Sequence, residues 1–84
     1  MTLLFVVEDT FSIKGRGTIL VPGFPDRLKM TAGASIELRL PDGSRLAMTI
    51  RGIAMWRPNL AHLPILVPVP KEQIPVGTEV WLSE

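Results

Sequence analysis

Apolar and polar residues alternate along most of the chain with the two-residue period of β-strands. Residues 1–7 form an apolar run that predicts a strand, and the alternation continues through residues 7–14. One face of this second stretch is predicted to be mostly buried, and its members are Val7, Asp9, Phe11 and Ile13. Glycines follow at positions 15 and 17, and their tolerance of unusual backbone angles predicts a tight reversal there.

The middle of the chain predicts a hairpin followed by a corner. Residues 34–40 alternate cleanly, and the turn at residues 41–44 has the sequence Pro-Asp-Gly-Ser, which suits a hairpin. The apolar positions then change parity across Gly52, with Leu46, Met48 and Ile50 before it and Ile53 and Met55 after it. Such a change is typical of a β-bulge, so we expect the strand to turn a barrel corner at Gly52.

Other short segments complete the predicted domain. They are a strand at residues 18–21, a loop at 56–64, a strand at 65–69, a helical turn within 70–77 and a closing strand at 78–82. Pro22 lacks an amide donor and favours a sheet edge or a bulge where it interrupts the first of these strands. The chain is therefore predicted to be all-β, with about six short strands in a single domain that covers residues 1–84.

Composition agrees with this prediction and limits the chemistry. Eight prolines and seven glycines among 84 residues favour short strands and turns over long helices. The absence of cysteine excludes disulfides and thiolate metal sites, and it is compatible with the reducing cytoplasm, where we expect the protein. The apolar run at the start meets Glu8 too soon for a signal peptide or a membrane span, so no membrane association is expected.

The charged residues point to binding and not to catalysis. Nine basic and eight acidic side chains leave a net charge of +1, which lacks the basic excess of proteins held to phosphates by charge, and DNA is not indicated. Glu8 and Asp9 are neighbours on a predicted strand, so they do not converge as an acid and base pair. His62 has no evident catalytic partner. We expect no enzyme, no cofactor and no metal site.

Three side chains have more than one interpretation. Arg16 lies between two glycines at a turn, where pairing with a nearby carboxylate is weighted above a contact with phosphate. Trp81, in the closing strand, is predicted to be a core residue. Trp56 is balanced between a core position and an exposed stacking platform.

Three segments resemble one domain of a known family. The stretch V-E-D-T-F-S-I-K-G-R-G-T at residues 7–18 resembles the opening of the second domain of elongation factor Tu and related translational GTPases. Residues 52–57, G-I-A-M-W-R, and residues 70–80, P-K-E-Q-I-P-V-G-T-E-V, are similar to later segments of that domain. The resemblance implies a small, closed or nearly closed Greek-key β-barrel without the GTPase domain.

The resemblance also implies a pocket. In the family this domain holds the acceptor end of aminoacyl-tRNA, and the positions that match its adenosine pocket are Glu8, Asp9, Phe11 and Ile13. Two features depart from the family pattern. Ala54 stands where the family has a glutamate, and the segment at residues 57–65 is shorter than its counterpart.

The leading hypothesis from the sequence is a non-enzymatic module that binds a protein partner. The residues expected to form its rim are Glu8, Phe11, Arg16, Met55, Trp56 and Arg57. One alternative is retained binding of tRNA, another RNA 3′ end or a nucleotide in the pocket near Asp9, Phe11 and Ile13. Another alternative is a structural homo-oligomer that pairs through an apolar strand edge at residues 65–69.

Overall fold

The structure is a computed structural model that describes residues 2–25, 30–53 and 62–83. Its strands are β1 (Thr2–Val6), β2 (Asp9–Ile13), β3 (Gly17–Pro25), β4 (Ser35–Arg39), β5 (Arg45–Thr49), β6 (Gly52–Ile53), β7 (His62–Val67) and β8 (Glu79–Leu82). A 3-10 helix at Lys71–Gln73 lies where a helical turn is predicted. Within the described ranges, no helix has the length and apolar character needed to cross a membrane.

The strands form two four-stranded antiparallel sheets that pack together, so the all-β prediction is confirmed. The first sheet has the order β1-β8-β4-β5, and the second has the order β2-β3-β7-β6. Side chains from both sheets meet in one core, which contains Leu4, Phe5, Val7, Leu20, Phe24, Ile36, Leu38, Ile50, Ile65, Val67, Ile74 and Val80. Burial of each large apolar side chain contributes roughly 1.5–3 kcal/mol, so this shared core holds the sheets face to face.

The predicted hairpin joins β4 and β5. The two strands pair in continuous antiparallel register from Ser35 opposite Thr49 to Arg39 opposite Arg45. In the turn, the backbone N–H of Ser44 donates a hydrogen bond of 2.8 Å to Oδ1 of Asp42. This bond stabilises the charged carboxylate and lowers the pKa of Asp42 from its ordinary value of 3.8.

The chain crosses from the first sheet to the second between β1 and β2. The backbone N–H of Val7 donates to the carbonyl of Thr78 at 2.8 Å, just before β8. The next backbone N–H, that of Glu8, donates to the carbonyl of Val21 in β3 at 2.9 Å. Two consecutive residues are therefore bonded to strands of different sheets.

A second crossing lies between β5 and β6. The N–H of Ile50 donates to the carbonyl of Ala34 at 2.9 Å, and the N–H of Arg51 donates to the carbonyl of Leu66 in β7 at 2.8 Å. The strand thus changes sheets immediately before Gly52, which is where the change of parity predicts a corner.

The buried face predicted for the second strand is wrong within β2, although Val7, just before β2, is buried in the core. Phe11 is 46% exposed, and Asp9 on the same face is also exposed. The reason is the register with β3, in which Thr10 pairs with Leu20, a side chain of the core. Side chains alternate across a strand, so the odd-numbered residues of β2 face away from the core.

The loop predicted up to residue 64 is also wrong at its end, because β7 begins at His62. Pro64 is accepted within the strand because the β3–β7 register is interrupted between Leu20 and Phe24. Residues 21–23 of β3 lie opposite this one proline, and the regular ladder of hydrogen bonds is interrupted there. Pro64, which has no backbone N–H, is therefore not needed as a donor at this point. The interruption predicted at Pro22 is therefore present.

The apolar segment at residues 65–69 does not provide the free sheet edge expected from the sequence. β7 lies between β3 and β6 in the second sheet. Ile65 and Leu66 pair with β3 on one side and with β6 on the other. Edge-to-edge pairing of two copies through these two residues is therefore blocked by strands of the same chain.

Candidate functional site

The outer face of the second sheet carries a row of apolar side chains across three strands. The register places Phe11 opposite Ile19, Ile19 opposite Leu66 and Leu66 opposite Gly52. Ile19 is 6% exposed, yet it is not part of the core cluster. Its side chain is thus buried on the outer face, by the neighbouring residues of that face.

A groove with a volume of about 540 Å³ opens over this row, and we call it the second-sheet groove. Its lining residues are Ile13, Arg16, Ile19, Arg51, Gly52, Ile53 and Leu66. A second depression of about 360 Å³ lies around the β2–β3 turn and shares Ile13, Arg16 and Arg51 with the groove. The volume of the groove is within the range of sites that hold small ligands or single side chains of a partner.

Two arginines stand at the groove because the β2–β3 turn and the β5–β6 crossing are bonded together. The N–H of Arg16 donates to the carbonyl of Ile13 at 2.9 Å and closes the turn. The carbonyl of Arg16 in turn accepts a bond of 2.7 Å from Nη1 of Arg51. Positive φ angles of 77° at Gly15 and 130° at Gly17 allow this reversal.

The two guanidinium groups carry charge that the described part of the chain does not neutralise. The ion pairs found among the described residues join Glu37 to Arg39 and to Arg45, in the first sheet. The expectation that Arg16 pairs with a nearby carboxylate is therefore wrong for the described residues. The hydrogen bond from Nη1 of Arg51 to the backbone carbonyl of Arg16 instead brings a second positive charge to the turn.

The opposite end of β2 is acidic. Asp9 lies on the outer face, and its Oδ1 accepts a bond of 2.8 Å from the N–H of Thr10. Glu8 is exposed beside it. Because neighbours on a strand point to opposite faces, the sequence predicts that one of Glu8 and Asp9 is solvated and that the other is bonded to backbone amides near the glycine turn. The structure instead bonds Asp9 to the N–H of Thr10, at the end of the strand far from that turn. At about 3.3 Å per residue, Asp9 and Ile13 are separated by about 13 Å.

The structure brings together part of the predicted site. Ile13 and Arg16 line the second-sheet groove, Phe11 borders it through Ile19, and Asp9 shares its face. Glu8 belongs to the crossing between the sheets. The other predicted site residues are Met55, Trp56 and Arg57, and they lie outside the described residues. Ala54 lies outside them as well.

Sequence reasoning missed five residues of the groove, namely Ile19, Arg51, Gly52, Ile53 and Leu66. They come from β3, from the β5–β6 crossing with β6, and from β7, so no single local pattern links them. A weak signal existed for Arg51, because it directly precedes Gly52, where the parity of the apolar positions changes.

The outer face of the first sheet is built differently, around Trp81. The guanidinium carbon of Arg39 lies 4.3 Å from the centroid of the Trp81 ring, and Nε of Arg39 donates to Oε2 of Glu37 at 2.9 Å. Nε1 of Trp81 donates to Oε1 of Glu79 at 2.9 Å. The prediction that Trp81 is a core residue is wrong, because it is half-buried on this outer face beneath charged groups.

The second-sheet groove offers apolar contacts and hydrogen-bond donors. Its described lining combines aliphatic side chains, two guanidinium groups and a glycine, and none of these described residues carries a carboxylate, imidazole or hydroxyl group. Within the described ranges, no cluster of three metal-ligating side chains is found. His62 is exposed at the first position of β7.

No known protein family and no solved structure matches this chain.

Proposed function

We propose that this chain is a non-enzymatic binding module that holds a segment of a protein partner in the second-sheet groove. The observation that carries the proposal is the apolar row on the outer face, with Phe11 46% exposed at one end. Arg16 and Arg51 flank this row without ion pairs to described carboxylates. Exposed aromatic and arginine side chains grouped in this way are enriched in the centres of protein interfaces.

The described residues of the groove favour binding over catalysis. Acid and base catalysis, or attack by a nucleophile, requires carboxylate, imidazole, amine, thiol or hydroxyl groups in mutual reach. The residues that line the groove supply guanidinium groups and backbone atoms in place of these. Guanidinium groups carry five N–H donors and act as hydrogen-bond donors to a bound group.

For the architecture, we propose a closed Greek-key barrel that resembles the second domain of elongation factor Tu. The hydrogen bonds at the two crossings support it, because β1 with β2, and β5 with β6, then count as two bent strands. Six strands follow one another around such a barrel. Cross-hydrogen-bond couplings from Val7 to Thr78 and from Arg51 to Leu66, measured by NMR, are expected; their absence would argue for two separate sheets.

A second candidate function is the binding of an RNA 3′ end or a nucleotide. It is favoured by one observation, which is that Ile13 and Arg16 both line the groove and both belong to the stretch that resembles elongation factor Tu. An apolar floor with two guanidinium groups also suits a base with an adjoining phosphate.

A selection from a peptide library tests the leading proposal. Peptides displayed on phage are selected against the whole chain, and the best binders are titrated into isotope-labelled protein. We expect amide signals of Ile13, Gly17 and Leu66 to shift. Ile13→Glu places a charge in the groove and is expected to abolish these shifts. Thr49→Glu, on the exposed edge strand β5 of the other sheet, is the matched control and is expected to bind normally.

Other results of this experiment have defined meanings. Selected peptides that shift only signals of the first sheet would contradict the proposal, as would equal binding by both variants. A short oligoribonucleotide with a free 3′ adenosine is titrated in parallel. Saturable binding of this RNA that is lost in Phe11→Ala, with no peptide selected, would favour the second candidate.

A further inference from the structure

The outer face of the second sheet has its charges ordered along β2, with an acidic end and a basic end. We propose that this order selects an extended peptide that carries a carboxylate, an apolar side chain and a cationic side chain at alternate positions. The inference rests on the proposed function, because it names the partner that the same groove would hold.

The basic end is set by the bond between Arg51 and the β2–β3 turn. Nη1 of Arg51 is used by the carbonyl of Arg16, and the other guanidinium nitrogens of Arg51 remain available to a bound group. Both arginines are exposed. A carboxylate of a partner can therefore accept hydrogen bonds from planar donors at this end of the groove.

The acidic end is set by Asp9, with Glu8 next to it. One oxygen of Asp9 accepts the N–H of Thr10, and this bond holds the carboxylate at the start of β2. Asp9 forms no ion pair with any described cation. A lysine or arginine side chain of the partner is the complementary group at this position.

The apolar centre lies between these ends. Phe11 is two residues from Asp9 and two residues from Ile13 on one face of β2, and it lies opposite the buried Ile19. Asp9 and Ile13, the two ends of this face, are about 13 Å apart, which equals four steps of an extended chain, and Arg16 lies in the turn just beyond Ile13. A peptide laid along β2 with a cationic side chain at Asp9 and an apolar side chain at Phe11 would thus place its next alternate position beside Ile13, from which a carboxylate side chain extends toward the arginines.

The same charges disfavour a nucleic-acid strand as the occupant. Each nucleotide brings a phosphate, so a strand that follows β2 would place negative charge beside Asp9 and Glu8. The chain as a whole has a net charge of only +1. A peptide can alternate the sign of its charges, whereas a phosphodiester chain cannot.

Four blocked pentapeptides test the charge order by NMR titration of the whole chain. The matching peptide is Glu-Thr-Leu-Thr-Lys, and its isomer Thr-Glu-Leu-Lys-Thr has the same composition with both charges on the opposite face. Lys-Thr-Leu-Thr-Lys and Glu-Thr-Leu-Thr-Glu each lose one complementary charge. The matching peptide is expected to bind about twofold to fivefold more tightly than each peptide that lacks one charge pair. This difference is expected to disappear in concentrated salt.

Charge-changing variants make the inference specific to named residues. Asp9→Lys is expected to reverse the preference, so that Glu-Thr-Leu-Thr-Glu becomes the tightest binder. Arg51→Gln is expected to weaken the matching peptide by about twofold to fivefold and not to weaken Lys-Thr-Leu-Thr-Lys, because it removes a like charge from beside the first lysine of that peptide. Arg45→Gln removes an exposed arginine of the first sheet and is the control, with no change expected.

The outcomes separate this inference from the proposed function. Peptides that shift groove signals without any order of charge, or with no reversal in Asp9→Lys, would overturn the inference and leave the binding module standing. If no peptide, selected or synthetic, shifts a groove signal, both fall. Displacement of the matching peptide from the parent chain by an oligoribonucleotide that shifts the same groove signals would identify the anion at the basic end as phosphate and overturn the inference.

Discussion

The outer faces of the two sheets use their arginines in opposite ways. On the first sheet, Arg39 lies over the ring of Trp81 and pairs with Glu37, which is also 3.9 Å from Arg45. On the second sheet, the guanidinium groups flank an apolar groove and pair with no described carboxylate. One face pairs its charges within the chain, and on the other face the described residues leave the two guanidinium groups without ion pairs.

This difference shows why the net charge does not reveal where unpaired charges lie on the surface of this chain. The sum of +1 hides a face with compensated charges and a face with separated ones. Exposed ion pairs and cation–π contacts are each worth only up to about 1 kcal/mol in stability. Their larger effect is on the number of free hydrogen-bond donors, because an arginine that is already stacked and paired has fewer N–H groups left for another molecule.

The largest difference between the two sheets is expected from a substitution at Gly23, which lies in β3 of the second sheet. A Cβ atom there would overlap the backbone carbonyl of Leu63 in β7, whereas one at Gly43 in the β4–β5 turn would meet open space. Both glycines have positive φ, so Gly43→Ala controls for backbone strain. We expect Gly23→Ala to lower the free energy of unfolding by about 3 kcal/mol or more, and Gly43→Ala by about 1 kcal/mol.

Urea denaturation of the two variants measures this difference. Peptide binding is expected to be lost in Gly23→Ala and kept in Gly43→Ala, because only the former lies in the sheet that carries the groove. Equal losses of stability would contradict the close approach of β3 and β7.

Removing one aromatic side chain from each outer face is expected to have smaller effects, which differ between the two faces. Phe11→Ala removes a side chain that is 46% exposed, so we expect a loss of stability below about 1 kcal/mol and a loss of peptide affinity of about tenfold. Trp81→Ala removes a half-buried ring with a hydrogen bond to Glu79, so we expect a loss of about 2 kcal/mol and unchanged affinity. Denaturation and NMR titration of both variants give the four values, and an equal effect on affinity would remove the distinction between the faces.

The smallest expected effect concerns the turn of the first sheet and depends on pH. The bond from Ser44 lowers the pKa of Asp42, so its contribution to stability is present above the ordinary value of 3.8 and is lost as pH falls through the lowered pKa. Asp42→Asn keeps an acceptor oxygen but does not titrate. The difference in urea midpoint between this variant and the parent is expected to be constant from about pH 7 to 5 and to shrink below about pH 4. A difference that stays constant to about pH 2 would assign no role to the charge.

Features of the fold that depend on residues adjacent in the sequence could be predicted from the sequence. The Asp42-Gly43 turn fixes a hairpin locally, and the parity change at Gly52 indicates a corner without knowledge of the partner strand. The inner face of β2 could not be predicted, because it is decided by the pairing of Thr10 with Leu20 in another strand. The start of β7 was hidden for the same reason, since Pro64 is accepted only opposite an interrupted strand.

The candidate site was predictable only where it follows the chain. Ile13 and Arg16 fall within one continuous stretch that resembles a known domain, and both line the groove. Ile19, Arg51 and Leu66 come from β3, a crossing and β7, and their proximity is created by sheet pairing. The solvent-facing position of Trp81 likewise depends on Arg39 and Glu79, whose polar groups permit a large ring outside the core.

The position of β8 between β1 and β4 has a consequence for how fast the molecule folds. Thr2 pairs with Leu82, so this ladder joins residues 80 positions apart in the chain. Closing so long a loop is slow, and domains dominated by such contacts fold in about milliseconds to seconds. Until β8 inserts, β1 has no partner strand in its sheet, and β4 has only β5. The unpaired edges during that interval are where association of incompletely folded chains is expected to begin.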